Sequence, residues 1–342
     1  MKDCSDVLSV LPPENFLPGG GVYGCRRQVS RYCGFKEIPW QGKLNLSGDN
    51  WQHGWLPPHY NVHHEIIAMG IDGNTFRLRE TTRFFVARND QVDYLRQSGY
   101  VDVHAVGLPF VYTRDPMVER IPGSLLVLPV HSVEDTRHDR QSKEYAAYIK
   151  SISHRFSRVC ISIHPSDLRK GYWVKDFQEQ GFPYVTGANF KDANALDRMR
   201  NLFSRFEFVT TNGFGSHLAY ASFCGSKVSI CGPYEEDKPD DHNDSSFAKA
   251  APDAFRLLSL ATTQKAIRTH FGSFFVDPWD AVPRIDWAKK QLGFENMRSI
   301  KETKRLLGWD LQSRIVESVA KKVAILGKYS LVKSRFFGNS SG

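Results

Sequence analysis

The sequence contains no apolar run approaching the ~18 residues that a membrane-spanning helix needs. Its opening residues, Met1-Lys2-Asp3-Cys4-Ser5-Asp6, lack the basic-then-apolar order of a secretory signal. The six cysteines (4, 25, 33, 160, 224 and 231) are scattered and never take a CxxC spacing. Cys160, Cys224 and Cys231 sit in or beside apolar segments, where buried free thiols are expected. Together these absences point to a reducing, cytoplasmic setting. There is no phosphate loop ending in Lys-Ser/Thr, no HExxH and no internal repeat. A flexible turn is the better reading of Gly19-Gly20-Gly21 than a phosphate cradle.

What is present is a well-mixed globular composition. At 342 residues the chain is long for one core and suits two domains. The content is 41% hydrophobic and 13% aromatic, which excludes a disordered chain. The net charge of +8 implies an anionic partner: nucleic acid, anionic lipid or a phosphorylated small molecule. Lysine and arginine are spread thinly outside the C-terminus and no nucleic-acid-binding motif occurs, so nucleic acid is not expected. The segment 311–342 is different. Arg314, Lys321, Lys322, Lys328, Lys333 and Arg335 face a lone Glu317, and Val316, Val319, Val323 and Leu326 recur at helical spacing. Such a helix suits either an anionic membrane surface or packing across domains with a solvated basic face.

Hydrophobic patterning divides the chain further. Arg83–Ala87 reads as a strand, Asp90–Gly99 as a helix and Val101–Val106 as a strand. Residues 109–123, with Pro109, Pro116 and Pro122-Gly123, read as a linker. Beyond it Ser124–Val130, Arg158–Ile163, Tyr184–Thr186, Phe208–Thr210 and Val228–Ile230 read as strands. Helices fall between them at Ser142–Ser153, Trp173–Gly181, Lys191–Arg205 and from Ser216. Strands that are apolar throughout and separated by helices mean a parallel sheet covered on both faces. Residues 234–254 are polar and read as a surface loop. The expected fold is α/β, with two facing Rossmann-like domains over 1–112 and 113–310 and the basic segment 311–342 as a helical tail.

The candidate chemistry gathers at strand ends. A parallel sheet places all its carboxyl ends on one rim, where open α/β sheets bind ligands. Three strands of the second unit end there in polar groups: His131-Ser132, His164-Pro165 and Thr210-Thr211-Asn212-Gly213-Phe214-Gly215-Ser216. Each taken alone also fits an ordinary turn, with Ser216 as a helix N-cap. His164 suits hydrogen bonding to phosphate or protonation of a departing oxygen, and Pro165 fixes its backbone. Thr210, Thr211 and Ser216 compete for the same anion. In the first unit His53, between Trp51 and Trp55 and beside Gly54, suits a general base, with Asp49 and Glu65 as alternatives. His59, His63 and His64 form a histidine-rich patch without a recognisable third ligand, so no metal site is expected.

These pieces, in this order, resemble bacterial glycosyltransferases of the GT-B architecture that build surface polysaccharides. The nearest groups use cytidine-nucleotide donors: sialyltransferases, Kdo transferases and the related CDP-glycerol-type polyol-phosphate transferases. His164-Pro165 is similar to their HP motif, and the segment from Thr210 to Ser216 to their serine/threonine motif, which together hold the donor's cytidine phosphate. Trp51-Gln52-His53-Gly54 resembles the WHG-type segment of the polyol-phosphate transferases, whose histidine is the proposed base. The segment KETKRLLGW (301–309) also resembles this class. The likeness covers roughly residues 45–235. The second motif is TTNGFGS rather than a plain SS or ST pair, the acidic base motif of the sialyltransferases is not evident, and the acceptor domain is small. The resemblance implies transfer from a CMP-sugar of the Kdo or sialic-acid type to a glycan or lipid-linked glycan acceptor. No resident cofactor or metal is implied; a peripheral position at the inner membrane is the expectation from the basic segment at the C-terminus. The alternatives to sugar transfer are polyol-phosphate transfer from a CDP-alcohol and a non-catalytic subunit that only binds the sugar nucleotide.

Overall fold

The computed structural model describes residues 4–17, 21–39, 51–58, 83–132, 140–236, 238, 249, 252–312 and 315. Asp49, Glu65, the histidines at 59, 63 and 64, and almost all of the basic tail lie outside them.

The protein is mixed α/β, and every strand pairing within the two sheets of the described residues is parallel. The larger sheet is built from β3 (Ile121–Leu128), β4 (Arg158–Ile163), β5 (Tyr184–Thr186), β6 (Phe206–Thr211) and β7 (Lys227–Ile230). Its spatial order is β5-β4-β3-β6-β7, with every pairing parallel. The chain therefore starts in the middle, moves outward to β5, then returns to the other side of β3. The boundary between β3 and β6 is a topological switch point, where the loops leaving the two strands diverge and open a crevice.

Alternation along the central strands explains why both faces are covered. On β3, Leu125 and Val127 join one apolar cluster while Leu126 and Leu128 join another. Phe208 and Val209 on β6 divide the same way. One face is closed by Tyr145, Ala146 and Ile149 of the helix Ser142–Ile152 and by Phe177 of the helix Val174–Glu179. The other is closed by Leu196, Met199, Leu202 and Phe203 of Ala195–Arg205 and by Leu218 to Ala221 of His217–Phe223. Leu125, Leu126 and Val127 are fully buried, and each contributes roughly 1.5–3 kcal/mol of transfer free energy.

The smaller sheet pairs β1 (Arg83–Val86) with β2 (Asp102–Ala105) in parallel, joined through the helix Asn89–Gln97. Phe84, Val86, Val92, Leu95 and Val103 form its local core. Trp51 bridges to Phe85 beside it, and the Trp51 indole N–H donates to the carbonyl of Gly107 at 2.8 Å.

Two expectations about connections are corrected. Residues 109–112, read from their prolines as linker, form a buried 3-10 turn, with Phe110 and Tyr112 in the main core. β3 begins at Ile121, inside that presumed linker. Pro122 and Gly123 are accommodated because they occupy the first positions of the strand, where a missing donor costs least. The second correction concerns 234–254: its first residues, Tyr234 and Glu235, are buried rather than on the surface.

The N-terminal segment, which sequence patterning did not place, packs on the larger sheet. Asp6, in the helix Ser5–Ser9, pairs with Arg158 at 2.7 Å and Arg205 at 3.3 Å. Ala193 N–H donates to Asn15 O at 2.7 Å. At the other end, the helix Ile285–Leu292 lies against His217–Phe223. Gly293 follows it at the edge of the smaller sheet, where a Cβ would stand 1.9 Å from Ala87 O. Among the described residues no helix is long and apolar enough to cross a membrane.

Candidate functional site

A cavity of about 450 Å³ opens at the carboxyl ends of β3, β4 and β6, over the switch point. Four histidines line it: His131 after β3, His164 after β4, His217 at the start of the helix after β6, and His53 from the loop before β1. Leu128, Ile163, Leu196 and Met199 give it an apolar floor.

The rim owes its shape to two close approaches. Val130 N–H donates to Asn212 Oδ1 at 3.0 Å, which ties the end of β3 to the end of β6 across the switch point. Gly213 follows, and a Cβ there would stand 2.0 Å from Val130 Cγ2. Only glycine lets the two loops pass so closely, so this residue shapes the cavity without lining it.

The three hydroxyls that compete in the sequence have separate fates. Thr210 Oγ1 faces the neighbouring strand, 2.9 Å from Ser229 Oγ and 2.9 Å from Cys231 Sγ. Thr211 Oγ1 accepts from Gly213 N–H at 3.3 Å, inside the turn. Both side chains are fully buried, and neither lines the cavity; nor do Asn212 and Gly213. Ser216 does. It does not act as the expected N-cap, because its Oγ accepts instead from the backbone N–H of Trp55 at 2.9 Å. Tyr220 OH donates to the carbonyl of His53 at 3.0 Å. These two bonds hold the Trp51–Trp55 loop against the loop after β6 and bring His53 into the cavity.

His131 and His164 stack with ring centroids 4.6 Å apart. Burial, then the ring of His131 and the charge of Arg169, depress the pKa of His164 to about 2. Burial and His131 likewise lower that of His217 to about 3. Its Nε2 is buried with no hydrogen-bond partner among the described residues. His53 is exposed to solvent within the open cavity, yet protein crowds it closely enough to lower its pKa below the usual imidazole value. A neutral imidazole is the form that accepts a proton.

Ser132 and Pro165, expected among the phosphate ligands, stand behind the cavity. Ser132 is buried with its N–H donating to Asp167 Oδ1 at 3.1 Å. Pro165 is the first residue of the helix Pro165–Lys170, where it forfeits no helical hydrogen bond.

Sequence reasoning missed several lining residues, of which four bear on the chemistry. His217 directly follows Ser216 and was legible from the motif itself. Glu235 was hidden in a polar stretch and Tyr220 in an apolar one. Tyr23 comes from the glycine-rich N-terminal segment, with φ of +51° between Gly21 and Gly24. Its phenol stands 3.5 Å from His164 Nε2 and packs edge-on to Phe190. Non-glycine residues in this conformation cost free energy and concentrate at functional sites. Among the described residues no three histidine, cysteine or carboxylate side chains converge as a metal ion would require.

No protein-family model matches the chain. Over 144 residues it is 28% identical to the mouse (Mus musculus) cytochrome b5 domain-containing protein 1, a match covering 40% of this chain and 58% of that protein. The chain thus spans little more than half the length of this curated relative. Among solved structures it is similar to the pneumococcal O-GlcNAc transferase GtfA in complex with UDP and GlcNAc. The TM-score is 0.31 and the identity 14%, covering 66% of this chain and 44% of that one. The functional reading therefore rests on the site's own geometry.

Proposed function

We propose that the cavity holds the phosphate end of a nucleotide-sugar donor and that the protein transfers the sugar to a glycan acceptor in surface polysaccharide synthesis. One observation carries this reading: His53, from the loop beside the smaller sheet, shares a single cavity with His131, His164, His217 and Ser216 at the switch point of the larger one. A base is thereby set across from a cluster of phosphate-compatible groups.

In this reading His53 takes the proton of the acceptor hydroxyl as that oxygen bonds to the anomeric carbon. The bond from that carbon to the donor phosphate breaks, and its electron pair stays on the phosphate oxygen. Ser216 and the imidazoles of His164 and His217 surround the charge that develops there. Stabilising such charge is usually the largest catalytic term. The resemblance of His164-Pro165 and its companion motif favours a CMP-linked sugar of the Kdo or sialic-acid type. The position of His53 also supports polyol-phosphate transfer from a CDP-alcohol by the same residues. A peripheral inner-membrane location belongs to the basic tail and is part of the proposal.

A thermal-shift panel of CMP, CDP, UDP, GDP and UMP tests the donor. Stabilisation by CMP, lost in His164→Ala, is the expected result. Preference for UDP or GDP rules out the cytidine assignment, and an unchanged shift in His164→Ala means that the donor binds elsewhere.

A further inference from the structure

One side chain spans His53 in the chain. Gln52 is buried. Its Nε2 donates to the carbonyl of Gly54 at 2.8 Å, and its Oε1 accepts from the backbone N–H of Ala87 at 3.2 Å. A carboxamide turned the other way would set its N–H groups against a donor and its oxygen against a carbonyl, so these two partners admit one orientation. The backbone N–H of Gln52 donates to Phe85 O at 2.9 Å. The residue before His53 is thus anchored to β1 and grips the residue after it.

The two side-chain bonds differ in what depends on them. Ala87 N–H also donates to Gln91 Oε1 at 3.1 Å, and that oxygen accepts from Arg88 N–H at 3.1 Å as well. The end of β1 therefore keeps an acceptor without Gln52. What Gln52 adds is the hold on Gly54 O. The carbonyl of His53 itself is held from the other side by the Tyr220 hydroxyl at 3.0 Å, and the Tyr220 ring is stacked on Phe110 with centroids 4.1 Å apart. Both carbonyls, of His53 and of Gly54, are thereby fixed.

The imidazole of His53 hydrogen-bonds to none of the described residues. A base is commonly aimed by a third group bonded to its ring; in this loop the backbone is the part that is gripped. We propose that Gln52 is the positioning residue for His53, acting through the Gly54 carbonyl, with Tyr220 as its counterpart on the helix after β6. Gln52 does not line the cavity and touches no ligand there. This rests on the reading of His53 as the base and adds what aims it.

His131, His164, His217 and Glu235 line the same cavity, yet burial is the influence that lowers the pKa of His53. Its titration therefore reports how closely the protein surrounds the ring. NMR of histidine-labelled protein without nucleotide reads that titration, with His53→Ala assigning the signal. In the wild type His53 should titrate below the ordinary value of about 6.5. Gln52→Met keeps the length and bulk of the side chain and makes neither bond. There the ring should gain room and its titration should rise to about 6.5. Gln91→Met is the control: it removes the other acceptor at the end of β1, and should lower Tm while leaving the His53 titration in place. Tyr220→Phe keeps the stack on Phe110 and loses only the hydroxyl. It should shift His53 in the same direction, and it decides the matter if Gln52→Met does not fold. Transfer should slow by up to about 10²-fold in Gln52→Met, in kcat rather than in the donor KM.

A His53 titration that stays in place in Gln52→Met and in Tyr220→Phe overturns the proposal, as does an equal shift in Gln91→Met. Because the titration is read without ligand, it is separate from the nucleotide panel. The expected shift in a protein that no nucleotide stabilises would keep the role of Gln52 in placing His53 and remove the donor reading.

Discussion

Ser216 Oγ accepts a hydrogen bond from the backbone N–H of Trp55 at 2.9 Å. The hydroxyl that sequence analysis offers to a phosphate thus also fastens the loop carrying His53.

Ser216→Ala should therefore lose stability as well as ligand. Trp55 is buried, and an unsatisfied buried N–H costs about 1–3 kcal/mol. A fall in Tm accompanied by weaker nucleotide stabilisation is the expected pair of results. An unchanged Tm would mean that the Trp55 N–H finds another acceptor.

Gly213→Ala tests the rim. The new methyl would meet Val130 Cγ2 at 2.0 Å and Glu235 O at 3.3 Å. Overpacking of this kind typically costs about 1–3 kcal/mol. Denaturant unfolding should show the loss. Pairing the substitution with Val130→Ala, which removes the clashing methyl, should recover much of it.

His53→Ala should reduce transfer by about 10²–10⁴-fold if this ring is the base. Nucleotide stabilisation should change far less, because the proposed donor phosphate would sit against the larger sheet. Because crowding lowers the pKa of His53, the base is already neutral at pH ~7, and activity should fall only on acidification through the lowered value. A rate that declines on the alkaline side of pH ~6.5 instead would point to a different titrating group.

The pairing of Asp6 with Arg158 and Arg205 predicts an acid-sensitive increment of stability. The hydrogen bond from Arg158 is the largest influence, and it holds the Asp6 carboxyl below its ordinary value. A lowered carboxylate pKa stabilises the fold above the unfolded value of about 3.9, and the effect disappears as pH falls through the folded one. The Asp6 side chain is 44% exposed, so solvent screening keeps the increment under about 1 kcal/mol. Asp6→Asn should melt slightly below wild type at neutral pH and match it in strong acid.

The larger sheet was legible because its strands are apolar on both faces, a pattern that only a covered parallel sheet requires. Their carboxyl ends, and with them His131, His164 and Ser216, followed from topology. Which hydroxyl faces the cavity was not legible. Thr210 and Thr211 differ from Ser216 only in where the backbone turns, and that depends on the approach of Gly213 to Val130. The proline-rich stretch at 109–123 misled because its apolar residues, Phe110 and Tyr112, carry no strand or helix period. Tyr23 could not be anticipated: it reaches His164 from 141 positions away in the chain, and no local pattern reports such a distance.

The turn that delivers Tyr23 has a consequence for how this chain tolerates change. Gly24 sits so near Ala193 that a Cβ would come within 2.4 Å of its carbonyl oxygen, and Tyr23 N–H is bonded to Phe190 O at 2.9 Å. The phenol is thereby clamped at both its own amide and the residue after it. Spacing between Gly21 and Gly24 is consequently under tighter constraint than composition. Val22 can give way to another apolar side chain, whereas inserting or deleting one residue would swing the phenol out of the cavity and leave His164 facing an empty wall.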